Sequence, residues 1–165
     1  RLVGSSRRRH GALFPTGRSA DAHGSGEDCS QDNSHVAAAL LRRLHEARIA
    51  NAPFVEIWGS GTPRREFIYV DDLADACIFT VHHYDGSEPL NLGTGITTSI
   101  AELAETIRDV VGYEGELRFD ASKPDGMPIK GLDSEPLHTL RWRHTHDLPP
   151  GLEDTYRCHL SDGRV

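Results

Sequence analysis

WGSGTPRREFIYVDDLADA, residues 58–76, decides how this chain is read. A tryptophan, a glycine turn from Gly59 to Pro63 and the adjacent Arg64 and Arg65 precede an extended piece, Phe67 to Val70. A helix follows, for which Asp71 or Asp72 offers the N-cap side chain, with Leu73, Ala76, Cys77 and Val81 at helical spacing. A flat aromatic face beside guanidinium groups suits a ligand that carries both a ring and phosphate.

The same alternation continues on both sides. Asn33 and Ser34 supply N-cap side chains for a helix from about His35 to Ala50, whose apolar face is Val36, Leu40, Leu44 and Ala47. Phe54 to Trp58 reads as a strand, and Leu90 to Leu92 as another, closed by Gly93, Thr94 and Gly95. Ser99 with Glu102 matches a capping box ahead of an amphipathic helix carrying Ile100, Leu103, Ala104, Ile107 and Val111. Glu116 to Asp120 is a further strand, Ser122 to Pro128 a Pro/Gly loop, and Leu152 to Leu160 a terminal helix. Alternating helices and short strands predict an α/β architecture. Residues 1–31, rich in Gly, Ser and Arg and lacking any sustained apolar period, read as disordered or loop-like, leaving 32–165 as the folded portion.

A chain of 165 residues can bury one core of its own, and no stretch approaches the roughly 18 apolar residues of a membrane span. A net charge of −7 argues against a general nucleic-acid binder. Arg7, Arg8 and Arg9 form the only basic cluster and read as a solvated tail. Cys29, Cys77 and Cys158 are odd in number and outside any CxxC pair, which indicates neither a disulfide framework nor a zinc site and fits a reducing cytoplasm. The first residues lack the apolar core of a signal peptide.

Several residues could carry chemistry. His35 sits at a predicted helix start, where the dipole disfavours the imidazolium; it reads either as an acid/base or as a hydrogen-bonded histidine at a helix end. At about 100° per residue, Arg43 lies beside the apolar face of its helix and Arg42 nearly opposite, so Arg43 is better set to reach a cleft. Trp58 offers a flat face or is an ordinary rim residue. Because neighbouring side chains of an extended segment face opposite ways, only one of Arg64 and Arg65 is expected to enter a shared site. The turn Lys123-Pro124-Asp125-Gly126 presents a carboxylate able to accept from ribose hydroxyls or ring N–H groups, or it merely reverses the chain. His82 and His83 are ill placed to share a metal, and His144 and His146 could do so only if extended; no metal site is expected. No tyrosine has a lysine four positions on, and no Gly-x-Gly-x-x-Gly follows a strand, so a complete dinucleotide oxidoreductase is not expected.

NSHV from Asn33, WGSGTPRREF from Trp58 and DASKPDG from Asp120 are specific motifs, and together with VDDLADA and NLGTG the segment Asn33 to Gly126 resembles the C-terminal half of the GDP-L-fucose synthase family of extended short-chain dehydrogenases/reductases. The resemblance implies the C-terminal part of that α/β fold, with an incomplete Rossmann domain. It also implies a GDP-sugar partner, NADP as cofactor, a homodimer, and 3,5-epimerisation then 4-reduction of GDP-4-keto-6-deoxy-D-mannose. By the same resemblance His35 matches the epimerisation acid beside the cofactor, and Arg43, Trp58, Arg65 and Asp125 match substrate-binding positions. Residues 1–31 do not resemble the corresponding family segment, and the half carrying the family's Ser, Tyr, Lys and second epimerisation residue, a Cys, has no counterpart. After Gly126 the resemblance weakens at Met127, Ile129 and Gly131. These departures predict little reductase activity from the chain by itself. The alternatives are another nucleotide-sugar epimerase or dehydratase, and a non-catalytic remnant of the fold.

Overall fold

Val55 and Ile57 alternate with exposed Phe54, Glu56 and Trp58, so this segment is a half-buried strand rather than a loop. In the computed structural model, which describes residues 16–24 and 36–162, it pairs in parallel with Glu116–Asp120, in register from Phe54 opposite Glu116 to Trp58 opposite Asp120. In chain order the elements are β1 (Thr16–Ser19), β2 (Asp21–His23), α1 (Val36–Ile49), β3 (Phe54–Trp58), β4 (Arg64–Tyr69), α2 (Val70–His83) and β5 (Leu90–Leu92). There follow β6 (Thr97–Ser99), α3 (Ile100–Val111), β7 (Glu116–Asp120), β8 (Ile129–Lys130), α4 (Glu135–Thr139) and α5 (Leu148–Asp162). Strand β1 pairs in parallel with β5, and β4 is flanked by parallel β2 on one side and by antiparallel β6 and parallel β8.

Two apolar clusters hold these elements. The larger joins α1, α3 and α5 over β3, with Leu41, Leu44, Leu103, Ile107 and Leu152 fully buried. Truncating one such leucine to alanine costs about 2–5 kcal/mol. The smaller packs Ile68, Ala76, Leu90, Leu92, Leu137 and Trp142 around β4, β5 and α2. Helix α3 follows its sequence signals closely. Ser99 Oγ accepts from the Glu102 amide at 3.1 Å, the Glu102 carboxylate accepts from the Ser99 amide at 2.7 Å, and Gly112 at φ 70 ends the helix.

Other signals resolve differently. Helix α2 begins at Val70, one residue before Asp71 and two before Asp72, with Tyr69 at its N-cap and no side-chain cap bond. Asp72 lies inside the first turn and is turned toward residues 145 and 146, which occupy the carboxylate that capping would have used. Strands β1 and β2 fall within residues 1–31, for which the sequence predicts no element. Being short, they gain order from pairing with β5 and β4 rather than from a local period. Strands β6 and β8 and helix α4 are likewise unsignalled, at two to five residues each. Helix α5 starts at Leu148 rather than Leu152, because Pro149 and Pro150 are tolerated in a first turn, where the N–H groups are unpaired anyway. The expected caps Asn33 and Ser34 lie outside the described residues. Among the described residues no helix is long and apolar enough to cross a membrane.

Glu66, on β4, is buried to 2% exposure. Its Oε1 accepts from the Gly95 amide at 2.9 Å and its Oε2 from the Leu132 amide at 2.8 Å. A Cβ at Gly93 would lie 2.1 Å from Glu66 Oε1, so glycine is what lets this loop close over the carboxylate. Glu66→Ala strands both amides and is expected to cost about 2–4 kcal/mol. Glu66→Gln keeps one acceptor and should cost roughly half of that; denaturant titration of the two variants reads the difference.

Candidate functional site

Parallel pairing of β3 with β7 brings two turns to the same end of that sheet: Gly59 to Pro63 after β3 and residues 121–128 after β7. The Gly59 amide donates to the Asp120 carbonyl at 3.0 Å, and the Arg64 amide to the Pro128 carbonyl at 2.7 Å, so the two turns are tied at both ends. Asp120 Oδ1 accepts from the amide and hydroxyl of Ser122, at 3.0 and 2.6 Å, which shapes the entry of the second turn. These bonds, with that from Ser122 Oγ ahead of that from its amide, hold the Asp120 carboxyl below its usual value.

Asp125 closes the arrangement. Its Oδ1 accepts from the Ser60 amide at 2.5 Å and its Oδ2 from Ser60 Oγ at 2.8 Å. Those bonds hold the carboxyl below the ordinary carboxylate range. Gly59 has φ 92, and a Cβ there would sit 2.5 Å from Asp125 Oδ1. Glycine is thus required by both the backbone and the approach of the carboxylate. Each oxygen of Asp125 has used one of its two lone-pair directions, so the exposed carboxylate can still accept from a ligand.

The expected division of labour between the two arginines is visible in their contacts. Arg64 turns to β6 and α3, with Nε on Thr97 Oγ1 at 3.1 Å and a 3.4 Å ion pair to Glu102. Arg65 turns the other way, onto the second turn, where its guanidinium donates to the carbonyls of Arg64 and Met127 at 2.8 Å each. The adjacent Gly126 lies close enough that a Cβ on it would be 3.9 Å from this guanidinium. Trp58 is 68% exposed, with Lys123 Nζ of the second turn 5.6 Å from its ring centroid. Trp58, Arg65 and Asp125 therefore belong to one rim. Arg43 does not join it: from the exposed side of α1 it donates to the Glu56 carbonyl, beside Phe54 and Glu46. Arg42, expected on the far face, is half-buried and pairs with Glu46 at 2.7 Å, because the i, i+4 ion pair draws it along the helix. His35 lies outside the described residues. Ser60, which positions Asp125, and Lys123, which neighbours Trp58, have no distinguishing signal in the sequence beyond their place in turns.

A second polar cluster was not foreseen. Its centre is His23, 2% exposed, which faces Tyr69 edge-on at 5.7 Å, and a cavity of about 40 Å³ lies between these residues, His144 and His146. That volume suits about one water. Thr155 Oγ1 donates to the Gly151 carbonyl at 2.7 Å, so at 3.2 Å from that oxygen His23 Nδ1 must be the donor. Donation from Nδ1 is open to the neutral ring and to the cation alike, and the lowered pKa makes the ring neutral at pH 7. Burial lowers the His23 pKa to about 4, against the pull of Asp72 and with the help of His146. For Asp72 itself, burial alone would raise the carboxyl, but hydrogen bonds from Thr145 and His146 outweigh it and hold the group low. His146 lies 3.2 Å from Asp72 and His144 3.6 Å from Asp147, so the two histidines have different carboxylate partners. Among the described residues no three His, Cys, Asp or Glu side chains could hold a metal ion.

The family model described as "NAD dependent epimerase/dehydratase family" matches residues 1–93, a span that includes the leading segment. GDP-L-fucose synthase 1 of Arabidopsis thaliana is 44% identical over 154 residues, covering 93% of this chain and 48% of that protein. GDP-L-fucose synthase of Escherichia coli (strain K12) is 44% identical over 171 residues, covering 98% and 53%. A solved structure of a GDP-L-fucose synthetase from Naegleria fowleri bound to NADP superposes with a TM-score of 0.81 at 25% identity, over 89% of this chain and 46% of that one. The chain thus spans about half the length of the curated relatives it matches.

The His23 shift sets a pH dependence. Its folded pKa, about 4, lies below the ordinary imidazole value of 6.5, so the neutral ring's contribution is complete above pH 6.5 and drains away as the pH falls toward 4. Thermal or denaturant unfolding of the chain should lose roughly 3 kcal/mol across that window. His23→Asn should flatten the loss between pH 6.5 and 5, where carboxylates contribute little.

Proposed function

The chain belongs to the NAD dependent epimerase/dehydratase family, and from that premise we propose that residues 32–165 form the substrate-binding portion of a GDP-L-fucose synthase-like enzyme. The observation that carries this reading is the shared rim of Trp58, Arg65 and Asp125, tied together by Ser60 and the Met127 carbonyl. Each side chain suits a different part of a GDP-sugar. An exposed indole can stack on a base or sugar face. A guanidinium fork matches a diphosphate. A carboxylate repels phosphate but accepts from donors, and guanine offers an adjacent ring N–H and amino group, whereas uracil and thymine offer one N–H between two carbonyls. Carboxylate recognition at this rim therefore favours a guanosine nucleotide over uridine or thymidine ones. Arg43, on its groove beside Glu56, is proposed as an accessory contact to the same ligand.

In this reading the substrate is GDP-4-keto-6-deoxy-D-mannose. Protons on the carbons beside its ketone are acidified by enolate delocalisation, so inversion at C3 and C5 needs only a positioned acid/base pair. His35 is proposed as the acid. The cofactor in its reduced form, NADPH, would supply the hydride for reduction at C4, and His35 is proposed to lie beside it. Among the described residues no glycine-rich turn opens a helix for its pyrophosphate, since α2 follows Tyr69 and α3 follows Ser99. We propose that the cofactor's seat lies in the portion of the relatives that this chain does not span. A non-catalytic remnant of the fold is the rival reading.

Calorimetry on the chain should show GDP binding at least tenfold tighter than UDP or dTDP. Arg65→Ala and Asp125→Ala should each weaken it about tenfold, or about 1.4 kcal/mol, and Trp58→Ala several-fold. The chain by itself should not oxidise NADPH in the presence of the keto sugar. Preference for a uridine ligand, or indifference to both Arg65→Ala and Asp125→Ala, would overturn the GDP assignment.

A further inference from the structure

A diphosphate carries negative charge on each phosphate, and the rim at the end of β3 and β7 already holds two carboxylates. Hydrogen bonds from Ser122, with a smaller pull from the charge of Lys123, keep Asp120 ionised near neutral pH, and hydrogen bonds from Ser60 do the same for Asp125. Arg65 cannot answer both phosphates. Its Nη1 is spent on the carbonyls of Arg64 and Met127, which leaves the edge formed by Nε and Nη2, and a single guanidinium edge matches a single phosphate.

The other cations of these strands and turns are committed elsewhere. Arg64 faces Thr97 and Glu102. Arg118, on β7, pairs with Glu116 at 2.8 Å and lies over the Phe54 ring at 4.0 Å, and Lys130, on β8, pairs with Asp21 at 2.7 Å. Lys123 differs from all of these. Its amide donates to the Asp120 carbonyl at 3.1 Å, and Pro124 follows it, so its backbone is anchored in the turn and kept out of the helical region. Its side chain is exposed, and the contact printed on its ammonium is the Trp58 ring, with the centroid 5.6 Å away. A cation over a ring is held weakly at an exposed site, whereas a charge-assisted hydrogen bond to phosphate is among the stronger polar contacts.

We propose that Lys123 binds the phosphate that the Nε–Nη2 edge of Arg65 leaves uncovered, and that it thereby makes the rim select nucleoside diphosphates over monophosphates. As the ammonium passes from the indole to the phosphate it frees the ring face it rests over, so phosphate capture and stacking on Trp58 are coupled. The inference rests on the rim being the nucleotide site of the proposed function, and not on its preference for guanine.

Calorimetry of the 165-residue chain with GDP, GMP, UDP and UMP tests it. The unaltered chain should bind GDP about tenfold or more tighter than GMP. Lys123→Met, which keeps the stem and removes the charge, should cut that ratio to about threefold or less by weakening GDP while GMP stays within about twofold. Lys123→Arg should restore most of the ratio. Arg157→Met, which removes an exposed charge on α5, should change none of the affinities. A guanine preference whose diphosphate-to-monophosphate ratio is untouched by Lys123→Met overturns this proposal and leaves the GDP assignment standing. Equal affinities for GDP and UDP, with both diphosphate-to-monophosphate ratios collapsing in Lys123→Met, keep it and sink the GDP assignment. Failure to bind any of the four nucleotides overturns both.

Discussion

The carboxyl group of Glu66, carried into the interior on β4, accepts from the amides of Gly95 and Leu132, two segments distant in sequence from it and from each other. A buried carboxyl group in such a place is tolerated because backbone donors close around it. Asp72 repeats the device one helix later, receiving the amides of Thr145 and His146. Between them the two carboxylates pin the loop after β5, the approach to α4 and the approach to α5. Few of those stretches have enough apolar content to hold themselves in place.

With these loops fixed, the rim at the end of β3 and β7 needs little more than register. Trp58 stands opposite Asp120, so the turn that follows each strand meets the other, and Ser60 comes within reach of Asp125. Arg65 is aimed at the same turn because β4 alternates, sending Arg64 to β6 and α3 instead. The rim is thus assembled from main-chain geometry and a handful of short polar contacts. Its side chains keep unused hydrogen-bonding directions, which is what a ligand site requires.

The sequence was legible where order is local. Strands Phe54–Trp58, Leu90–Leu92 and Glu116–Asp120 lie where alternation and turn residues put them, and the Ser99–Glu102 box caps α3. The division between Arg64 and Arg65 also followed from strand periodicity. What escaped was order that comes from partners far along the chain. Strands β1 and β2 exist through β5 and β4, and Asp72 reads as a cap until Thr145 and His146 claim it. His23 gave no warning either, since its burial depends on Tyr69, on Thr155 of α5, and on the close approach of Gly151, where a Cβ would come within 2.8 Å of the imidazole.

The two tryptophans sit in opposite environments. Trp142 is 3% exposed, with its indole N–H held by Asp75 in the smaller core, while Trp58 is 68% exposed at the rim. Indole emission shifts with the polarity of its surroundings, so the pair amounts to two spectrally distinct lamps inside one molecule. A soluble quencher dims only the outer one, and loss of the smaller core reddens only the inner.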